Sequence, residues 1–160
     1  LVCNTSPIQY LYQLGQLHLL QALGAAVFIP PAVATEIARG TTLGVNLPDL
    51  TLLPWIDVRA PRGLVSHGWQ SNLGAGEGEV LQLGLEMSGS VVVIDDRIAR
   101  RAATNLKLPL KGTIGLLIDA KRAGFLAEVR PMLDQLDALG FRLAAASRAA
   151  ALRLAGEAAS

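Results

Sequence analysis

Two rhythms of apolar residues alternate along this chain and outline its elements. Val91, Val92, Val93 and Ile94 form an unbroken β-branched run, the pattern of a strand covered on both faces. Residues 1–3 read as the stub of another short strand, ending at Asn4, and 26–29, 55–59 and 108–110 as three more. Helical spacing fills the intervals. Ser6 precedes Pro7 and is expected to cap a helix that Leu11 and Leu14 continue, while Leu17, Leu20 and Leu23 predict a second short helix after Gly15. Pro30 stops the strand before it, and Pro31 opens a helix over 32–38 that Gly40 is expected to end. Helical periodicity returns at 77–87, 97–106, 114–123, 129–139 and 145–156. Residues 40–54 and 61–76 lack it and read as loops or insertions, with exposed polar character around 66–72.

Strands separated by helices imply an α/β fold, a three-layer α/β/α arrangement around a short parallel sheet with right-handed crossovers. The 160 residues fit one domain, with the helices from about 129 packing onto the rest. In such sheets, polar groups at the carboxyl ends of strands face a common crevice. Asn4 follows the first strand, Asp95 and Asp96 end the strongest one, and Lys111, Gly112 and Thr113 follow the last.

Composition narrows the class. Apolar residues make up 51% of the chain and charged ones 17%, far from the balance of a disordered segment. No apolar run reaches the roughly 18 residues that a membrane span needs, and the opening residues lack a signal-type pattern. A single cysteine, Cys3, excludes an intrachain disulfide and fits a reducing, cytoplasmic setting. The formal charge of +1 argues against coating a nucleic acid by charge alone. Residues 97–122 nevertheless hold Arg97, Arg100, Arg101, Lys107, Lys111, Lys121 and Arg122 against Asp119 as their one acid. They form either a phosphate-facing patch or the wet faces of two helices, and composition favours the second.

The acids are the best chemical signal. Adjacent carboxylates at Asp95 and Asp96 repel, so one is expected to cap the following helix and the other to reach the crevice. Glu77 and Glu79 lie in Gly74-Ala75-Gly76-Glu77-Gly78-Glu79, ahead of an apolar helix. The interval from Glu77 to Asp95 holds one helix and a return strand, which can bring both to one sheet edge, whereas Glu79 points elsewhere around the helix. Glu36 has a bland use as a partner of Arg39, three residues on. Three or four such carboxylates would make an oxygen-rich site suited to Mg²⁺ or Mn²⁺. The glycine string is not a dinucleotide fingerprint, because its sixth position is Glu79, and Lys111-Gly112-Thr113 lacks the phosphate-loop order. His18 and His67 form no zinc array, and Ser6 has no histidine to activate it. A phospho-acceptor domain would carry its paired acids after the first strand, whereas here the pair comes late.

Asn4-Thr5-Ser6-Pro7, the stretch from Ile29-Pro30-Pro31-Ala32-Val33 to Glu36, Gly76-Glu77-Gly78-Glu79, Ile94-Asp95-Asp96-Arg97 to Arg101, and Gly112-Thr113-Ile114-Gly115 to Gly124 together resemble PIN-domain proteins. More closely they resemble a prokaryotic, VapC-like subfamily of uncharacterised predicted nucleic-acid-binding proteins. The resemblance implies a metal-dependent endoribonuclease using Mg²⁺ or Mn²⁺, often a homodimer, and often a toxin silenced by a small antitoxin protein in its crevice. It places the first family acid, normally aspartate, at Asn4, the second at Glu36, the third at Glu77 or Glu79, and the last at Asp95 or Asp96. Thr113 would support the last. Arg97, Arg100 and Lys111 would hold the RNA backbone. Asparagine brings a ligating oxygen but no charge, so a catalytically weak or inactive module that binds nucleic acid or protein is the alternative. The apolar fraction and the leucines of 11–23 point to a homodimer with a nonpolar contact.

Overall fold

The β-branched run ending at Ile94 lies at the heart of the molecule, with Val92, Val93 and Ile94 all fully buried. The computed structural model describes residues 1–24, 26–63 and 72–157. His67 and most of the polar stretch around 66–72 lie outside the described residues.

Strand β1 (Val2–Cys3) runs parallel between β2 (Val27–Ile29) and β4 (Val92–Val93), while β3 (Ile56–Val58) and β5 (Leu110–Lys111) form the edges. The strand order is β3-β2-β1-β4-β5. Helices α1 (Thr5–Gln13), α2 (His18–Leu23), α3 (Pro31–Thr42), α4 (Ala75–Glu86), α5 (Arg97–Asn105) and α6 (Thr113–Arg122) join and flank the strands, giving the expected three-layer α/β fold. Helices α7 (Arg130–Ala138) and α8 (Ala145–Leu154) follow. From β1 the chain builds outward to β2 and β3, then returns to add β4 and β5 on the other side. The order therefore reverses between β1 and β4, where open parallel sheets form their crevice.

Tertiary context moved several boundaries. The 91–94 run keeps only Val92–Val93 as paired strand, and the last strand pairs at Leu110–Lys111 rather than over 108–110. Helix α3 does not stop at Gly40. It continues to Thr42, and the chain turns at Gly44 with φ of 87°; Gly40 instead leaves room for Leu47, which packs where its side chain would stand. Helix α4 opens at Ala75, two residues before Glu77, and Asp49 caps a short 3₁₀ turn (Leu50–Leu52) inside the expected loop. Leu11, Leu14, Leu17, Leu19 and Leu20 are buried in the chain's own core, while Leu23 is partly buried and Tyr12 exposed. Among the described residues, no helix is long and apolar enough to cross a membrane.

The C-terminal helices are clasped from below by Glu157. Its carboxylate accepts hydrogen bonds from Lys121 Nζ at 2.8 Å and from the amides of Val129 at 2.5 Å and Arg130 at 3.0 Å, tying the end of α8 to α6 and to the start of α7. Burial pushes this carboxyl up, but the Lys121 ammonium and the two amides outweigh it and hold the pKa at about 2. Because the folded pKa is depressed from 4.5, the stabilisation is complete above that pH and is lost as the pH falls through about 2. Glu157→Gln is expected to cost about 1–2 kcal/mol at pH 7. In urea titrations, the gap from the unsubstituted protein should narrow steadily below pH 4.5.

Candidate functional site

Strand β1 delivers three polar residues to the reversal point in immediate succession. The Asn4 amide donates to Val93 O at 3.0 Å, which fixes the exit of β1 beside β4, and Asn4 is only 3% exposed. Its side-chain Nδ2 donates a long hydrogen bond, 3.4 Å, to Glu77 Oε1. Thr5 Oγ1 donates to Glu36 Oε2 at 2.5 Å, and Ser6 Oγ donates to Asp95 Oδ2 at 3.3 Å. Asn4, Thr5 and Ser6 thus each hold a different acid, one from α4, one from α3 and one from the end of β4. This corrects the expectation that Ser6 caps α1. Asn4 occupies the cap position, without a side-chain capping bond, and the serine hydroxyl is drawn to Asp95 instead.

Glu36 takes tertiary partners, Thr5 and Gly76, in place of the bland use that its spacing to Arg39 offered. Glu36 Oε1 accepts from the Gly76 amide at 3.2 Å, and a β-carbon on Gly76 would stand 2.7 Å from that oxygen. Glycine leaves the carboxylate its place, and a larger residue would make it shift. Glu77, one residue on, lies in the first turn of α4 and faces Asn4. Glu79 turns away and accepts from the Ala32 amide at 2.9 Å, serving the amino end of α3. Of the two glutamates, Glu77 therefore adjoins the crevice.

The two aspartates divide as their neighbours require. Asp96 Oδ1 accepts from the Ala99 amide at 2.9 Å and caps α5. Asp95 turns inward, where it accepts from the Thr113 amide at 2.8 Å and from Thr113 Oγ1 at 2.6 Å. Thr113 is fully buried, so its hydroxyl serves Asp95 rather than solvent. The expected phosphate contacts divide too. Arg100 Nη1 donates to Ile94 O at 2.9 Å, behind Asp95, and Lys111 pairs with Asp119. A β-carbon on Gly112 would lie 2.9 Å from Arg100 Nη1 and 3.0 Å from Asp95 Oδ1, so that glycine makes the room both groups occupy. Arg97 and Arg101 are exposed on α5. Burial raises the Cys3 thiol to about 12, which leaves it an inert core group.

A hard divalent cation prefers oxygen ligands, and the Asn4 amide oxygen and the carboxylates of Glu36, Glu77 and Asp95 are of that kind. Asn4 Oδ1 is buried without a hydrogen-bond partner, a polar atom with unused capacity beside the acids. The donor set fits such an ion in kind. Its spacing is looser: among the described residues, no three histidine, cysteine, aspartate or glutamate side chains form a group able to hold a metal. Sequence reasoning missed Thr5 and Ser6 as holders of the acids. The signal was present, since three consecutive polar residues at the exit of a central strand must find partners at the crevice.

Removing these partners should act differently at the two aspartates. Thr113→Val strips one buried hydrogen bond from Asp95 and is expected to cost about 1–3 kcal/mol. Asp96→Ala loses a helix cap worth about 1 kcal/mol. Chemical denaturation should show that Asp95→Ala in the Thr113→Val background adds less than it does alone, because the pair is one interaction, while Asp96→Ala, whose cap shares no hydrogen-bond partner with Thr113, adds nearly its full effect to Thr113→Val.

No match emerges among curated proteins or among solved structures. A family model described as a PIN domain, DUF3368, matches residues 1–157. That span includes every strand, the crevice at the sheet reversal and the closing Glu157, and with it the chain belongs to the PIN-domain family.

Proposed function

We propose that this PIN domain is a nucleic-acid-binding module with weak or no hydrolytic activity. The observation that carries this reading is that Glu36, Glu77 and Asp95 are each held by a separate neutral donor from Asn4, Thr5 and Ser6. Carboxylates satisfied by amides and hydroxyls need no cation to be stable at the sheet end, and asparagine at position 4 lowers the charge that would draw one in. The surface chemistry for a phosphate backbone lies next door. Arg97 and Arg101 project from α5, whose amino end is capped beside the crevice by Asp96.

A second reading, a Mg²⁺- or Mn²⁺-dependent endoribonuclease, is favoured by one observation, the unpartnered Asn4 Oδ1. In that case Asn4, Glu36, Glu77 and Asp95 would hold the ion. Such an ion lowers the pKa of an attacking water and neutralises charge developing on the phosphate. Thr113 would keep Asp95 in place, and Ser6 and Thr5 would hold the remaining carboxylate oxygens. A toxin partnered by a small antitoxin, and a homodimer, belong with this second reading.

Binding of a labelled single-stranded RNA, followed across a salt series, separates the cations. Arg97→Gln and Arg101→Gln are each expected to lower the salt slope by about one, while Arg100→Gln and Lys111→Gln leave it unchanged. With Mn²⁺ or Mg²⁺ added, cleavage should not exceed that of Asp95→Asn. Cleavage stopped by EDTA, abolished by Asp95→Asn, kept by Asp96→Asn and increased by Asn4→Asp would establish the nuclease instead.

A further inference from the structure

Helix α5 buries Ala99 and Ala103 and turns another face outward. On that face an open groove of about 220 Å³ is lined by Asn72, Ile98, Arg101, Ala102, Asn105 and Leu106. Ile98, Ala102 and Asn105 stand on one face of the helix at intervals of four and three residues. We infer that this groove receives one unpaired nucleobase of a single-stranded nucleic acid, and so acts as an anchoring subsite beside the acidic crevice. The inference rests on the nucleic-acid-binding reading above and names where the strand is gripped.

Three features select that occupant. The volume is below the roughly 300 Å³ at which pockets for drug-sized ligands begin, and suits a single flat ring system. Its chemistry is that of a base: Ile98, Ala102 and Leu106 offer apolar contact to a ring face, while the carboxamides of Asn72 and Asn105 carry both donors and acceptors for a base edge. Its charge is that of a phosphate binder. Arg101 lines the groove, Arg97 lies one turn earlier on the exposed side of α5, and among the described residues no carboxylate lines the groove. Ile98, 53% exposed, is a large apolar side chain with much of its surface left for contact. The groove begins three residues beyond Asp95, and at 1.5 Å per residue its centre lies about 10 Å along the helix from the crevice. A strand seated there would pass Arg97 on its way to the acids.

The test compares a labelled RNA octamer with its fully abasic counterpart by fluorescence anisotropy. The unsubstituted protein is expected to bind the base-bearing strand at least about fivefold more tightly, the low end of what one seated base contributes. Ala102→Leu fills the groove without changing charge, and Asn105→Ala removes an amide at an exposed position where folding is not at stake. Both should bring the ratio toward one while leaving the salt slope intact; loss of fold would lower binding of both strands together. A DNA octamer of the same sequence separates the sources. A ratio kept with DNA assigns the groove to unpaired bases of either nucleic acid, and a ratio confined to RNA assigns it to RNA. Equal affinity for normal and abasic strands in the unsubstituted protein, or a ratio unmoved by both variants, would overturn the subsite and leave the nucleic-acid reading standing. Competition by polyglutamate as effective as that by RNA would reassign the groove to an acidic peptide. Failure of any strand to bind at low salt would remove both readings.

Discussion

The acidic end of this sheet is organised by hydrogen bonds from three neutral side chains, those of Asn4, Thr5 and Ser6. A carboxylate drawn partly out of water is costly unless donors replace the water it has lost. Three carboxylates drawn to one sheet end raise that cost further, because they repel. Donors carried on three successive residues meet both requirements, and they tie α3, α4 and the end of β4 to the exit of β1. Removing any one of them would leave a carboxylate short of a partner and would loosen the element that carries it.

Topology makes this arrangement available. The first strand of the chain is the central strand of the sheet, so the residues immediately after it form the floor of the crevice and not an edge. Two glycines then allow the close approaches. Without a side chain, Gly76 lets the Glu36 carboxylate reach a backbone amide, and Gly112 leaves room for Asp95 and Arg100 together. Within the first turn of α4, Gly76 therefore serves the packing of an acid against backbone.

Charge in the 97–122 region follows a similar logic. Its cations are formally alike, yet they are sorted by the direction each faces. Arg100 reaches inward to Ile94 O, Lys111 to Asp119 and Lys121 to Glu157, and Arg122 donates to Leu154 O. These four serve the fold itself. Arg97 and Arg101 project from α5 and give a nearly neutral protein a local patch of exposed positive charge.

Much of this protein can be read directly from its residues, where the determinants are local. The buried run over 92–94, the order of strands and helices, and the sharing of the Asp95–Asp96 pair between one crevice acid and one cap follow from period and position, while which aspartate takes which place does not. The same holds for the separation of Glu79 from Glu77, since two residues along a helix point in different directions. Other features were settled only in three dimensions. Gly40 lies inside helix α3, where its missing side chain makes room for Leu47 from a later loop. The leucines of 11–23 faced inward because α1 and α2 pack within their own domain. Ser6 left its expected cap for Asp95, and Glu36 found Thr5 and the Gly76 amide. Each of these outcomes depends on a partner distant in the chain. Spacing along a sequence shows which side chains share a face, but only packing decides which groups from other elements arrive there to meet them.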